Sequence, residues 1–132
     1  MSLPLHPQAA HTLLRLSLGL MWIAHALLKV LVFTLPGTAQ FFDAHGLPGM
    51  LAYPVVAAEL AGGAAIVLGW HARLASLLLL PILGGALLVH LPNGWVFSAS
   101  GGGWEYPLFL AVASLVHILA GDGQAALRAE TA

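Results

Sequence analysis

The sequence predicts an all-α integral membrane protein, folded as an antiparallel four-helix bundle. Three observations carry that expectation. The chain has 132 residues, of which 60% are hydrophobic and 7% charged, whereas a soluble domain averages about 25% charged. Its four Lys and Arg and five Asp and Glu residues are too few to coat a soluble globule of this size. Four apolar stretches also approach the roughly 20 residues that a spanning helix needs, and Gly- and Pro-containing breaks separate them. The length suits one domain over 1–132.

Charge and cysteine usage narrow the function. A net charge of −1 offers no basic footprint for nucleic acid. The chain has no cysteine, so it forms no disulfide, thiolate metal site or thiol relay of its own. Any redox chemistry must come from a bound cofactor, a substrate or a partner.

The first span is expected over about 12–33. It reads as a retained helix rather than a cleaved signal, because Arg15 lies in its start, His25 and Lys29 interrupt its end, and no small-residue cleavage site follows. The connection over 34–50 holds two turn signals, Pro36-Gly37 and Pro48-Gly49, with Phe41-Phe42 between them as a short interfacial or re-entrant piece. The second span, about 51–70, carries a lone carboxylate, Glu59, near its middle. Burying that acid in hydrocarbon costs roughly 2.5–3.5 kcal/mol on insertion scales, so a partner is required. Gly62 and Gly63 let a neighbouring helix approach closely beside it.

The third span, about 73–91, follows a tight turn at His71-Ala72, which makes a helical hairpin. Leu77 to Leu80 read as lipid contacts and Pro81 as a kink. Pro92-Asn93-Gly94 ends this span, and Ser98 to Gly103 reads as a flexible loop. The fourth span, about 104–120, is short and brings Glu105 into the interface, before Gly121-Asp122-Gly123 and a polar tail. Arg15, Arg73 and Arg128 fall on one side of such a bundle, so the positive-inside rule puts both termini in the cytoplasm. Arg15 and Arg73 then read as headgroup anchors, and Trp95 and Trp104 as an outer aromatic belt. Gly84 and Gly85 offer a further small face for packing within one chain or between two copies.

At 1.5 Å per residue, Glu59 and His25 each lie about 12 Å below the outer face. Lys29 is one turn outward of His25 on the same face. His90 closes the third span outside and Glu105 opens the fourth. His25, Lys29, Glu59, His90 and Glu105 are therefore expected together in the outer half. Charge compensation alone is the plain alternative, with Lys29 snorkelling outward and Glu105 lying in the interface. His6, His11, His45 and His71 fall in the tail or in connections, and His117 reads as an isolated packing residue on the inner side.

These positions, taken in order, resemble the DoxX family: His25 and Lys29, then Phe41 and Gly46-Leu47-Pro48, then Glu59-Leu60-Ala61-Gly62-Gly63, Gly69, Arg73, His90, Glu105 and Gly121-Asp122-Gly123. The family pattern has His-Gly where this chain has His25-Ala26. The resemblance implies a four-helix protein of the bacterial inner membrane. It also implies kinship with the DoxD-type subunit of thiosulfate:quinone oxidoreductase, and with membrane parts of oxidoreductase complexes that handle thiol or oxidative stress.

Two classes of function, and a third, remain open at this point. The first is a quinone-linked oxidoreductase subunit in which Glu59 and His25 are catalytic and Lys29, His90 and Glu105 bind the ligand. Its electrons come from a donor protein, and histidine suits its proton traffic because its ordinary pKa lies near neutrality. The second is a module that binds or transports a small molecule, an anion or a metal ion. No local His spacing marks a metal site, so no metal ligands are assigned. The third is an assembly subunit whose charges recognise another membrane protein.

Overall fold

The computed structural model describes residues 2–128. Among these the chain forms five α-helices and no strand: α1 Pro7–Leu31, α2 Leu35–Ala44, α3 Ala52–Leu68, α4 Ala72–His90 and α5 Glu105–Ala120. Three helical stretches are long and apolar enough to cross a membrane, namely Pro7–Leu31, Gly49–Leu68 and Ala72–Asn93. The 16 residues of α5 are apolar but shorter. They rise about 24 Å, against a hydrocarbon core of about 30 Å.

Each long helix buries one narrow stripe. In α1 it is Arg15, Leu18, Gly19, Trp22 and Ala26, and in α3 it is Ala52, Val56, Glu59, Gly63 and Ile66. The three- and four-residue steps are those of one helix face. The remaining faces carry exposed leucine, valine and phenylalanine, as a bilayer solvent requires. α1 packs on α3, α3 on α4, α4 on α5, and α5 returns to α1.

Glycine sets the α1–α3 approach. A Cβ on Gly19 would stand 2.8 Å from the Val67 amide nitrogen, and one on Gly63 would stand 2.9 Å from Ile23 Cγ1. Only hydrogen fits at either place. Gly62 receives Leu79 of α4, so Leu79 belongs to the core, whereas Leu77 and Leu78 stay exposed. The four-leucine run is therefore not uniformly a lipid contact. Gly84 and Gly85 have no neighbour within 4 Å of a Cβ.

Several boundaries differ from expectation for identifiable reasons. α1 begins at Pro7, ahead of the apolar run, because proline suits a first turn whose N–H has no acceptor. Pro36-Gly37 is not a turn. Pro36 lies in the first turn of α2, where Thr34 Oγ1 accepts the Gly37 N–H at 3.2 Å as an N-cap. The loop over 94–104 is pinned: Asn93 Nδ2 donates to Gly102 O at 2.8 Å, Trp104 N to Gly94 O at 3.0 Å, and the Trp95 and Trp104 rings meet edge to face at 4.5 Å.

Candidate functional site

α1 and α3 bring an ion pair into the apolar interior. Lys29 stands on the last turn of α1 and Glu59 on the buried stripe of α3. The glycine contact between the helices lets the long lysine reach across. Lys29 Nζ donates to Glu59 Oε1 at 2.6 Å and to Oε2 at 2.8 Å. The Glu59 side chain is 2% exposed and that of Lys29 is 23% exposed. The carboxylate is thus removed from solvent and the ammonium keeps an outward side. An ammonium has three donors, and two are spent on Glu59. Thr38 of α2 donates from Oγ1 to the Lys29 carbonyl at 3.4 Å, so α2 rests against the end of α1 beside the pair.

His25 lies one turn deeper on α1. Its Nδ1 is 2.8 Å from Met21 O. A carbonyl only accepts, so Nδ1 carries the proton, and in the neutral ring Nε2 presents a lone pair. The imidazole rests against Tyr106 of α5, with ring centroids 5.3 Å apart and planes tilted 47°. The Tyr106 hydroxyl donates to Met21 Sδ at 3.7 Å, and a thioether is a weak acceptor.

The five expected residues do not form one hydrogen-bonded cluster. Lys29 and Glu59 join directly, with His25 nearby on the same helix face. His90 Nδ1 donates to Ala86 O at 2.7 Å on its own helix. Glu105 Oε1 accepts the Phe97 N–H at 3.1 Å and ties the loop before α5. Among the described residues, no group of three or more His, Cys, Asp and Glu side chains is placed to hold a metal ion.

A second polar assembly lies at the opposite end of the helices. Arg15, expected at the headgroups, is instead 1% exposed. Its Nη2 donates to Gln124 O at 3.0 Å and Ala125 O at 3.2 Å. Arg73 Nε donates to Ile118 O at 2.6 Å. His117 is not isolated: its Nε2 is 2.9 Å from Asp122 Oδ1 and its Nδ1 is 2.8 Å from Ser76 Oγ. With Asp122 as the acceptor, Nε2 holds the proton and Ser76 donates to Nδ1. The order serine, histidine, carboxylate is that of an acyl-transfer relay. Here Ser76 is 1%, His117 0% and Asp122 2% exposed, so no acyl donor reaches the hydroxyl. The chain of bonds instead staples α4, α5 and the segment after α5. That segment also donates from Leu127 N to Leu68 O and from Arg128 N to Gly69 O, closing over the α3–α4 turn. The sequence signal for this staple was His117 at three residues from Ser114 on the inward face of α5, followed by Gly-Asp-Gly.

An apolar helical membrane protein with a buried lysine–glutamate pair and a flanking histidine is the class that this geometry defines. Residues 10–91 match the DoxX family, and the chain belongs to that family. It is 33% identical over 99 residues to a Bacillus subtilis (strain 168) protein named "Putative oxidoreductase CatD", covering 74% of this chain and 70% of the relative. No solved structure matches the chain.

Proposed function

We propose that this protein is an inner-membrane subunit of an oxidoreductase system that binds a quinone in its outer half. In this reading α1, α3, α4 and α5 form an antiparallel four-helix bundle with both termini cytoplasmic, and α2 lies in the outer interface. The observation that carries the proposal is the Lys29–Glu59 pair, its carboxylate sealed from solvent, one helical turn from the unbonded His25 Nε2. An ionisable group inside a membrane span marks a functional site by default. The name of the Bacillus subtilis relative supports the reaction class.

A quinone bound there takes two electrons and two protons from the system. The residues present suit such a ligand: Tyr106 has a hydroxyl with only a thioether to accept it, and His25 has a ring nitrogen able to accept a proton. His25 Nε2 takes the proton from a ligand hydroxyl, or returns it to a ligand oxygen once protonated. Glu59 holds the Lys29 ammonium in place, and the third N–H of Lys29 serves the ligand. His90 and Glu105 are spent on local bonds, to Ala86 O and from Phe97 N–H, that fix the last turn of α4 and the loop before α5. In this reading electrons arrive from a donor protein, and the chain, which carries no cysteine, adds no thiol relay of its own.

A second reading, a non-catalytic assembly subunit, draws on the way Lys29 and Glu59 satisfy each other at 2.6 and 2.8 Å. The two readings separate on ligand affinity. The full chain in nanodiscs is titrated with a benzoquinone, and tryptophan quenching is followed. Saturable quenching, weakened roughly tenfold in His25→Ala by loss of one hydrogen bond to an ionisable group, supports the quinone site. Non-saturable quenching that is identical in both proteins supports the assembly reading.

A further inference from the structure

We propose that Arg15 is a receptor for a phosphate group, and that the segment over 123–128 is a removable cover lying on it. The site belongs to the end of the helices opposite Lys29 and Glu59, and it does not depend on what binds there.

A guanidinium has five N–H donors. Arg15 Nη2 spends its two on Gln124 O at 3.0 Å and Ala125 O at 3.2 Å. Nε and Nη1 have no acceptor, although Arg15 is 1% exposed. Arg15 also forms no ion pair among the described residues. A buried charge is ordinarily paired, and a buried donor left unmet costs about 1–3 kcal/mol. Two carbonyl dipoles do not cancel a full charge. Water satisfies the donors and leaves that charge in place, whereas an oxyanion answers both needs. Phosphate fits best, because its oxygens meet the planar fork of arginine two at a time. The surroundings favour an anion as well. Arg15, Arg73 and Arg128 stand at this end, with Asp122 as the one acid there among the described residues. Basic pockets between helices at a membrane face are the usual places for headgroup phosphates.

The cover is light. Gln124, Ala125, Leu127 and Arg128 are exposed, so little apolar burial holds it down. Its other ties are hydrogen bonds near the surface: Gln124 N to Thr12 Oγ1 at 2.6 Å, Leu127 N to Leu68 O at 3.0 Å and Arg128 N to Gly69 O at 2.9 Å. A segment with few buried contacts opens at low free energy. Ala125 adds strain, because its φ of +56° lies in the left-handed region that a Cβ disfavours. Gly123, at φ +72°, joins the cover to Asp122, which His117 holds in place. When the cover lifts from Gly123 onward, Ala125 relaxes and the two carbonyls leave Nη2. The whole fork of Arg15 then faces the headgroup layer. In the shut form the carbonyls of 124 and 125 stand where two phosphate oxygens bind in the open one.

The test follows amide exchange at Leu127 and Arg128 of the full chain in nanodiscs. The discs are phosphatidylcholine, whose phosphate is screened by choline, then phosphatidylcholine mixed with phosphatidylglycerol, then phosphatidylcholine with inorganic phosphate against chloride of equal ionic strength. Phosphatidylglycerol should speed exchange at both amides about fivefold, the lower end of an ordinary coupling between ligand and conformation. In Arg15→Gln both amides should exchange fast in every condition, with no dependence on lipid. An effect of phosphatidylglycerol alone supports a lipid headgroup as the ligand, and the same effect from inorganic phosphate supports the free ion. Should Arg15→Gln fail to fold, Ala125→Gly decides. Freed of its strain, the cover should open about fivefold less often, and more phosphatidylglycerol should be needed for half the effect. Equal exchange of the parent protein in all three conditions overturns the phosphate site, as does a lipid effect that persists in Arg15→Gln. An Ala125→Gly protein that exchanges and responds as the parent does overturns the cover.

Discussion

Lys29 grips both oxygens of Glu59, at 2.6 and 2.8 Å, across the α1–α3 interface. The two residues do not share the cost equally. Glu59 is sealed in, while Lys29 keeps an outward side. Removing the lysine therefore strands a buried carboxylate, whereas removing the glutamate frees an ammonium that can turn outward. We predict that Lys29→Met destabilises the protein by about 3–5 kcal/mol, the usual cost of breaking a buried pair, and that Glu59→Gln costs less. Replacing both by methionine should recover much of the loss. Thermal midpoints of the three variants in one detergent decide the order. A double variant worse than Lys29→Met contradicts it.

The α1–α3 contact depends on two hydrogens. Gly63→Val drives a side chain into Ile23 and Trp22, and Gly19→Val meets the Val67 backbone. Overpacking of this kind costs about 1–3 kcal/mol or more. Gly84→Ala meets nothing within 4 Å and should be neutral or slightly stabilising, because alanine is the better helix former. Denaturation of the three proteins side by side tests the contrast, and equal losses at all three positions refute it.

At the other end, His117→Leu removes the ring that joins Ser76 to Asp122. The buried Ser76 hydroxyl then loses its acceptor, at about 1–3 kcal/mol. The segment after α5 should then loosen from the α3–α4 turn. Amide exchange at Leu127 and Arg128, which donate to Leu68 and Gly69, should accelerate in His117→Leu and in Asp122→Leu. Unchanged protection would show that the staple does not hold this segment.

Gly69 joins both effects. Its φ is +70°, and a Cβ there would press on Arg15 Nη1 and Ala126. Gly69→Ala should destabilise by about 1–3 kcal/mol from backbone strain alone and also displace the buried guanidinium. A circular dichroism melt matching the parent protein would count against this account of the turn.

The helices, their approximate limits and the need for a partner to Glu59 were legible because hydropathy and helix periodicity are local properties. Depth arithmetic along α1 and α3 set His25 level with Glu59 and Lys29 one turn outward, so it brought the lysine into the same half without singling it out as the direct partner. What depth could not supply was rotation. His90 and Glu105 lie at suitable heights, yet their hydrogen bonds go to Ala86 and Phe97, and only the packed helices fix such azimuths. Tyr106 was overlooked because an aromatic residue at a helix start reads as an interface anchor. Its significance comes from Met21 and His25, more than 80 positions earlier in the chain. The burial of Arg15 was hidden for a related reason. Its acceptors are backbone carbonyls of residues 124 and 125, which leave no trace in a pattern of side chains.

The most direct measurement is the quinone content of the protein purified in its native lipids, determined by solvent extraction and mass spectrometry against a helical membrane protein carried through the same steps. The account predicts near-stoichiometric prenylated quinone with the parent chain and marked depletion in His25→Ala at equal folded yield. Quinone at the level of the control, in both proteins, would contradict it.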